Sequence, residues 1–358
     1  MTEITLPKGD EAVRTGVSDA AKAELDGLWA RGREFFGTRL AIMGGAMTWV
    51  SERHLVAAIS DAGGFGVIAC GAMEPARLEE EIRATFALTG KPFGVNLITM
   101  HPRLEALIDV CAGLNVGHVV LAGGLPPSTA VRRIKDSGAK AICFAPAPVL
   151  AKKLIRMGAD ALVIEGMEAG GHTGPVSTSV LAQEILPIVD QVPVFVAGGI
   201  GRGEAIVSYL EMGASGVQLG TRFVCATESI AHPRFKQAFI RAEARDAILS
   251  VQLDPRFPVI PVRALGNAGT RRFTDIQREV IDKVDRGLLD QKAAQLEIEH
   301  FWAGALRRAV IEGDVETGSL MAGQSVGFVR REQSVSEILA ELIDQAEASL
   351  DRRRVARR

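Results

Sequence analysis

The chain has 358 residues, 47% of them hydrophobic, which is enough for one large domain or two ordinary ones with a sizeable core. Its 41 lysines and arginines nearly cancel its 43 aspartates and glutamates, so nothing in the overall charge favours nucleic acid or an anionic membrane as a partner. The four cysteines share no metal-ligand spacing, and a chain of this length needs no disulfide framework. We therefore predict no metal site, no export signal, no membrane span and a reducing cytoplasm as the location.

Short apolar segments bounded by glycine recur from residue 40 to residue 221, with amphipathic helical patterns between them. The segments are continuous Val, Ile, Leu and Ala runs, which indicates strands buried on both faces in a parallel sheet. Eight such units in roughly 190 residues predict an α/β fold of the (β/α)8 TIM-barrel type. The eight segments are LAIMGG, GVIACG, FGVNLI, HVVLAGG, KAICFAP, ALVIEG, VPVFVAGG and GVQLGT.

The strand rhythm stops near residue 225, and charged helical patterns follow around the extended stretch DPRFPVIPVRA. We predict three regions: an N-terminal helical extension (1–36), the barrel (37–230), and a mostly helical appendage covering the barrel mouth (231–358). The basic end RRRVARR is interpreted as a frayed, solvated helix end without a function.

The stretch GGFGVIA, residues 63–69, contains a G-x-G-x-x-A pattern that suggests dinucleotide binding. A true fingerprint follows a strand and opens a helix, whereas this one follows a helix and opens a strand. We interpret it as a helix stop, so no separate nucleotide-binding fold is predicted.

Glycines follow the last two predicted strands, where barrels of this type commonly hold phosphate. Glycine lets backbone N–H groups approach an anion closely, and a following helix adds its positive dipole end. Tight turns alone would also explain the glycines. Their presence at both expected positions favours a phosphate cradle made of Gly198, Gly199, Gly220 and Thr221.

Three polar residues interrupt the apolar strands near the same barrel end: Asn96 closes the third strand, Glu165 closes the sixth, and Gln218 lies within the eighth. A buried polar side chain needs a partner, and for any one of them a neighbouring loop could supply it. All three together favour a ligand with several hydrogen-bonding edges, such as a flavin ring.

The segment IEGMEAGGHTGP places His172 in a glycine-rich loop directly after the sixth strand. A lone histidine is usually a satisfied polar group. One at the catalytic end of a barrel strand is more often functional, and the bare neighbours would leave the imidazole free to stand over a ligand. We therefore predict a functional role for His172 and assign no chemistry to the other five histidines.

Seven motifs in order resemble the nitronate monooxygenase family of flavin-dependent barrels, formerly called 2-nitropropane dioxygenases, and within it the enoyl-ACP reductases of the FabK type. The resemblance runs from about residue 40 to about residue 345. The motifs are GGAMTWVS, KPFGVN, EGMEAGGHTG, PVFVAGGIGRGEA, GASGVQLGTRFV, ESIAHP and GDVETGSLMAGQSVG.

This resemblance implies FMN as the cofactor, with its phosphate at the cradle described above. The backbone near Ala46 and Met47 would surround the isoalloxazine and the ribityl chain, together with Asn96, Glu165 and Gln218. Gly170 and Gly171 belong to the same implied cofactor site, and His172 falls on the family's catalytic histidine.

The resemblance leaves three functions open, and the sequence motifs favour the first. In enoyl-thioester reduction, NAD(P)H docks transiently to reduce FMN, and hydride then passes to the acyl β-carbon while His172 polarises or protonates the acceptor. In nitronate oxidation, His172 binds or deprotonates a nitroalkane and electrons pass to oxygen. The third function is non-catalytic flavin binding. The partner is a small molecule or an acyl thioester, and a homodimer is compatible with the sequence.

Overall fold

The computed structural model describes residues 17–71, 73–256 and 261–356. Within these ranges the strands fall into an eight-stranded parallel sheet and a small three-stranded antiparallel sheet. The strands are β1 (Ile42–Gly44), β2 (Gly66–Ala69), β3 (Phe93–Ile98), β4 (His118–Ala122), β5 (Lys140–Phe144), β6 (Ala161–Glu165), β7 (Gly171–His172), β8 (Val194–Ala197), β9 (Gly216–Leu219), β10 (Ala247–Leu249) and β11 (Val262–Leu265).

The large sheet has the order β1-β9-β8-β6-β5-β4-β3-β2. Its two edge strands meet through a parallel bridge between Met43 and Phe65, which brings the sheet into a nearly closed barrel. The eight predicted strands and the predicted (β/α)8 architecture are therefore confirmed. The barrel forms because each strand is apolar on both faces and each connection carries a helix that covers the outer face.

Helices follow the barrel strands and also make up most of the remaining chain. They are α1 (Asp19–Leu28), α2 (Ala30–Phe36), α3 (Arg53–Asp61), α4 (Pro75–Leu88), α5 (Leu104–Gly113), α6 (Ser128–Asp136), α7 (Pro148–Arg156), α8 (Thr178–Ile185), α9 (Gly203–Glu211), α10 (Thr221–Val224), α11 (Pro233–Arg241), α12 (Ala268–Asp285), α13 (Gln291–Arg307) and α14 (Val335–Ala356).

The glycines of the G-x-G-x-x-A pattern end a helix, as predicted. Helix α3 ends at Asp61, and Gly63 follows with a φ of 92°, a left-handed conformation that glycine adopts without steric cost. Strand β2 begins three residues later at Gly66.

The N-terminal helices close the bottom of the barrel with an aromatic plug. The ring of Phe36 stacks between Phe65 and Phe195, with centroid distances of 4.2 and 4.4 Å. His118 at the start of β4 joins this cluster through a 3.0 Å contact between its Nε2 and the carbonyl of Phe35. Burial lowers the pKa of His118, so the imidazole is neutral and Nε2 donates to the carbonyl.

The appendage begins with α11 and contains α12, α13 and α14 together with β10 and β11. A short 3-10 turn, residues 324–328, lies near the mouth, whereas α14 packs along the barrel's flank against α9 and α1. The interpretation of a frayed basic end is wrong as far as Ala356. Arg353 pairs with Glu211 of α9, and Arg354 pairs with Glu24 of α1. The last two residues lie outside the described part.

None of the described helices is both long enough and apolar enough to cross a lipid bilayer.

Candidate active site at the barrel mouth

Asn96, Glu165 and Gln218 all occupy inward-facing positions of the barrel. Gln218 and Glu165 are both register partners of Ala197, and Asn96 is the partner of Val120. Ala197 and Val120 belong to the apolar cluster inside the barrel, and register partners on adjacent parallel strands point to the same face. The three polar side chains therefore form the top layer of the barrel interior.

The polar layer has hydrogen-bonding capacity to spare. The Asn96 amide donates to the Val120 carbonyl over 3.2 Å, and no hydrogen bond from the side chain of Glu165 or Gln218 to another described residue is present. Asn96 does not close its strand as predicted, because β3 continues to Ile98 and pairs with β4 at that level. Burial raises the pKa of Glu165 to about 8, so the carboxyl group carries a proton at neutral pH.

Gly198 and Gly199 form a tight left-handed turn after β8, with φ angles of 98° and 72°. The hydroxyl of Thr178 lies 3.0 Å from the Gly198 carbonyl and shares its single hydrogen between that carbonyl and the Glu168 carboxylate, and this contact fixes the turn from the side of α8. Within the described residues, the amides of Gly199 and Ile200 donate to no protein acceptor. Free amides in a glycine turn are the donors that an anion requires.

A cavity of about 330 Å³ adjoins this turn. Its walls include the turn itself, Glu168 of the histidine segment, Ala205 and Tyr209 of α9, and Gln324 and Phe328 of the appendage. The Glu168 carboxylate accepts hydrogen bonds of 2.9 Å from both the amide and the hydroxyl of Thr178. Its charge is therefore satisfied at the start of α8, where the helix dipole also favours an anion.

The appendage segment 321–324 connects the two ends of the cradle. Gly323 donates its amide to the hydroxyl oxygen of Thr221 over 3.0 Å, and Gln324 donates its amide to the carbonyl of Glu168 over 2.9 Å. Because the Thr221 oxygen accepts, its hydroxyl hydrogen remains available to a ligand. The residues of this segment and Glu168 were not among the predicted site residues. The motif GSLMAGQ, which contains segment 321–324, is the sequence signal that could have located this segment.

The loop after β1 supplies the opposite wall. Ser51 holds it by accepting from the Met47 amide and donating to the Gly45 carbonyl, both over 3.0 Å. A Cβ placed on Gly220 would lie 3.5 Å from the Met47 sulfur. Met47 and the neighbouring Ala46 are therefore next to the end of β9.

The prediction that His172 stands in a bare, flexible loop is wrong. Gly171 and His172 form β7, which pairs antiparallel with β11: His172 lies opposite Val262, and Gly171 lies opposite Arg263. The His172 side chain is exposed. Gly170, two residues before His172, does not make the loop flexible. It allows close packing, because a Cβ at this position would come within 2.5 Å of the Gly323 amide nitrogen.

Arg263 anchors this strand from below. It is 5% exposed, and its guanidinium donates to the carbonyl of Met167 over 2.8 Å and to that of Ala247 over 2.6 Å. Burial lowers its pKa, and the nearby Glu168 opposes that shift. Carbonyl acceptors at both ends of the guanidinium fix the histidine segment to the appendage.

These residues fit a flavin mononucleotide. The glycine turn and Thr221 offer donors to one phosphate, and the inward polar layer offers donors and acceptors to a ring with several hydrogen-bonding edges. Among the described residues, no group of three or more metal-ligating side chains is placed to hold a metal ion.

Comparison with known proteins agrees with this architecture. The family model described as nitronate monooxygenase matches residues 31–109 and 103–345. The structure of FabK from Thermotoga maritima superposes with a TM-score of 0.82 and 34% identity, covering 91% of this chain and 98% of that one. Nitroalkane oxidase from Streptomyces ansochromogenes superposes with a TM-score of 0.73 and 26% identity, covering 87% and 97%.

A curated relative from Rhodococcus jostii, a 5-hydroxy-7a-methyl-1-oxo-octahydro-1H-indene-4-carboxyl-CoA dehydrogenase, is 29% identical over 341 residues. The match covers 89% of this chain and 96% of the relative. Because the family model spans both the barrel and most of the appendage, the chain belongs to the nitronate monooxygenase family of flavin-dependent oxidoreductases.

Proposed function

We propose that this protein binds FMN, takes electrons from NAD(P)H and reduces the carbon–carbon double bond of an enoyl thioester. The observation that carries the proposal is the convergence at one barrel mouth of a free glycine turn, an inward polar layer and His172. The choice of acceptor is supported by the similarity to FabK and to a dehydrogenase that acts on an acyl-CoA.

In this proposal the turn at Gly198 and Gly199 would hold the FMN phosphate through the free amides of Gly199 and Ile200, together with Gly220 and the hydroxyl of Thr221. The polar layer and the loop after β1 would hold the isoalloxazine and the ribityl chain. Gly170 and Gly171 let the histidine segment and the appendage close over the same site. Bound FMN supplies the two-electron hydride chemistry that the side chains of this chain lack.

Protonated Glu165 acts as a hydrogen-bond donor toward the ring. A neutral carboxylic acid can donate, whereas a carboxylate can only accept, and the raised pKa keeps the donor form at neutral pH. Asn96 and Gln218 orient the ring from the neighbouring strands.

His172 binds the acceptor at the open side of the mouth. Its imidazole donates a hydrogen bond to the thioester carbonyl or a proton to the acyl α-carbon. The pairing of β7 with β11 and the two carbonyl contacts of Arg263 hold the backbone of His172 in one position. A fixed backbone limits the entropy that His172 loses when it engages the substrate.

Nitronate oxidation is the second candidate, and it is supported by the similarity to nitroalkane oxidase. The same residues would hold FMN, and His172 would bind the nitro group or remove the proton from its α-carbon. Oxygen, not a thioester, would be the final acceptor.

Anaerobic stopped-flow mixing distinguishes the two candidates. We expect NADH or NADPH to bleach the flavin of the holoprotein, and crotonyl-CoA to restore its absorbance afterwards. Bleaching by propyl-2-nitronate, with no response to either dinucleotide, would establish nitronate oxidation in its place.

The role of His172 is tested by His172→Ala in the same assay. We expect the variant to retain FMN and to lose at least about 100-fold in the rate of flavin reoxidation by crotonyl-CoA, which is what a positioned acid typically contributes. His54→Ala, at an exposed histidine of α3 paired with Glu52, is the matched control and should react like the wild type. An unimpaired His172→Ala variant would remove this residue from the mechanism.

A further inference from the structure

The loop after β1 contains a tight turn with a tryptophan in an unfavourable conformation. The Met47 carbonyl accepts from the Val50 amide over 2.9 Å, which closes a four-residue turn. Trp49, the third residue, has a φ of 69°, whereas Thr48 has no positive φ. A positive φ at this third position strongly favours glycine, because a Cβ is crowded there. The chain therefore maintains a bulky side chain where its own backbone favours none.

The indole projects at the rim of the mouth. Trp49 is 42% exposed, so burial does not explain the strained residue. Thr48 packs toward the next loop, since a Cβ on Gly71 would meet its methyl group at 2.9 Å. Trp49 lies two residues from Met47, which faces the end of β9 at Gly220. Backbone strain at a partly exposed residue is typical of functional positions.

A cation lies over the indole ring. The guanidinium carbon of Arg307, the last residue of α13, is 5.9 Å from the centroid of the Trp49 ring. Arg307 also pairs with Glu312, on a π-helical turn that follows α13. A partly exposed indole with a guanidinium over its ring offers a stacking surface and a phosphate-binding cation to one ligand that joins a planar ring to a phosphate.

We propose that Trp49 and Arg307 bind the adenosine-diphosphate end of NAD(P)H, with the adenine stacked on the indole and the pyrophosphate paired with Arg307. This inference rests on the proposed function, because it supplies the docking site for the dinucleotide that reduces the flavin. It also explains how a barrel with no dinucleotide-binding fold takes such a substrate: the nucleotide binds the rim while its nicotinamide reaches the mouth.

Calorimetric titration of the FMN-loaded protein with ADP and with adenosine tests the site without any redox step. Trp49→Gly should weaken both ligands by about 10-fold or more, because stacking of a base on an aromatic ring contributes at least that much. Trp49→Phe should keep most of the affinity. Leu125→Ala is the matched control, because Leu125 is a similarly exposed apolar residue, 45% exposed, on the loop after β4, and it should bind ADP like the wild type.

The charged half of the site has its own variants. Arg307→Gln should weaken ADP and leave adenosine unchanged, because adenosine carries no phosphate. Glu312→Gln should tighten ADP, since it removes the carboxylate that competes for Arg307. The absence of saturable ADP binding at millimolar concentration, or equal ADP affinity in the wild type, Trp49→Gly and Arg307→Gln, would overturn the proposal.

A melting measurement separates ligand loss from misfolding. Glycine is the residue that the turn prefers, so Trp49→Gly should lower the melting temperature by no more than about 1 °C, the change that somewhat under 1 kcal/mol produces in a protein of this size. Lost ADP affinity in a variant of normal stability is the expected result. A different result would contradict the site. In that result Trp49→Gly loses both stability and ADP affinity, while Trp49→Phe and Arg307→Gln bind ADP like the wild type.

Flavin bleaching by NADH and by reduced nicotinamide mononucleotide, which lacks the adenosine half, completes the test. Each reductant gives a second-order rate constant for flavin bleaching. In Trp49→Gly the rate constant for NADH, divided by that for reduced nicotinamide mononucleotide, should fall by about 10-fold relative to the wild type. An unchanged ratio would contradict the rim site while leaving flavin reduction intact. If neither reductant bleaches the flavin although ADP still binds at Trp49, the reductase function has failed and the nucleotide site stands.

Discussion

Single glycines at the mouth determine how closely other groups can approach. At Gly199 the φ of 72° and the adjacent side chain both exclude a larger residue, because a Cβ there would lie 3.0 Å from the Cβ of Glu168. The same turn exposes the amides that we assign to the phosphate. Backbone conformation and ligand binding therefore depend on the same absence of a side chain.

We predict that Gly199→Val abolishes flavin retention, measured as the visible flavin absorbance per protein after purification and dialysis. Gly213→Val is the control: Gly213 has a φ of 105°, but a Cβ added there would have no atom within 4 Å. Both variants should lose about 1–2 kcal/mol of stability from the left-handed backbone, and only Gly199→Val should lose the flavin. Full flavin occupancy in Gly199→Val would place the phosphate elsewhere.

Glu165 makes the stability of the flavin-free protein depend on pH. Its folded-state pKa of about 8 lies above the ordinary value of about 4.5, so the folded chain keeps a proton that the unfolded chain releases. The contribution of this carboxyl group to stability is fully present below about pH 4.5 and is lost as the pH rises through about 8.

We therefore predict that Glu165→Gln, which cannot ionise, flattens the fall in denaturation free energy between about pH 5 and about pH 8, roughly the interval between the two pKa values. Urea unfolding of the flavin-free protein across this interval measures the slope. Equal slopes in the wild type and the variant would show that Glu165 is already ionised at neutral pH.

Among the secondary-structure elements, the pairing of β7 with β11 joins the barrel to the appendage. The strand carrying His172 is only two residues long, and it is held by β11, by Arg263 and by close contact with segment 321–324. Such a short strand has little stability of its own. The position of His172 therefore depends on the docking of the appendage.

Gly170→Ala should disturb that docking, because its Cβ would come within 2.5 Å of the Gly323 amide nitrogen and 2.7 Å of the Ala322 carbonyl carbon. We expect a loss of about 1–3 kcal/mol in unfolding free energy, as for other overpacked sites, and faster proteolysis of the appendage. Gly174→Ala, with no atom within 4 Å of the added Cβ, should change stability by less than about 0.5 kcal/mol. Equal protease resistance in the two variants would argue against the close packing.

In the molecule as a whole, three regions of the chain surround one barrel. The N-terminal helices close its bottom with Phe36, segment 321–324 of the appendage contacts its mouth, and α14 packs along its flank. Helices α1 and α14, from opposite ends of the chain, meet on that flank, where Ser18 donates to Asp351 and Arg354 pairs with Glu24. Ligand binding at the mouth is therefore expected to stabilise the barrel and the appendage together.

We predict that the purified protein releases FMN and that added FMN raises the melting temperature of the flavin-free form. At about 100 times the dissociation constant, the gain in stability should approach about 2.7 kcal/mol. Riboflavin, which lacks the phosphate, should stabilise less at the same concentration. Recovery of FAD, or equal stabilisation by riboflavin and FMN, would contradict the single-phosphate cradle.

The barrel follows from patterns that are local in the sequence. Each strand and helix has an apolar pattern within a contiguous stretch, and a glycine marks most of the boundaries, so periodicity was sufficient to predict eight strands in order. The polar interruptions at Glu165 and Gln218 could be located for the same reason, because a polar residue within an apolar run is visible without knowledge of its neighbours.

The surroundings of the mouth depend instead on contacts between distant parts of the chain. The bond from Gly323 to Thr221 spans 102 residues, and that from Arg263 to Met167 spans 96. No local pattern encodes such contacts, since they depend on how the appendage packs against the finished barrel. For that reason the sequence predicts a role for His172 but not the pairing of its strand with β11. It also shows the glycines without their close packing beside His172, and it contains no signal for the strained turn at Trp49.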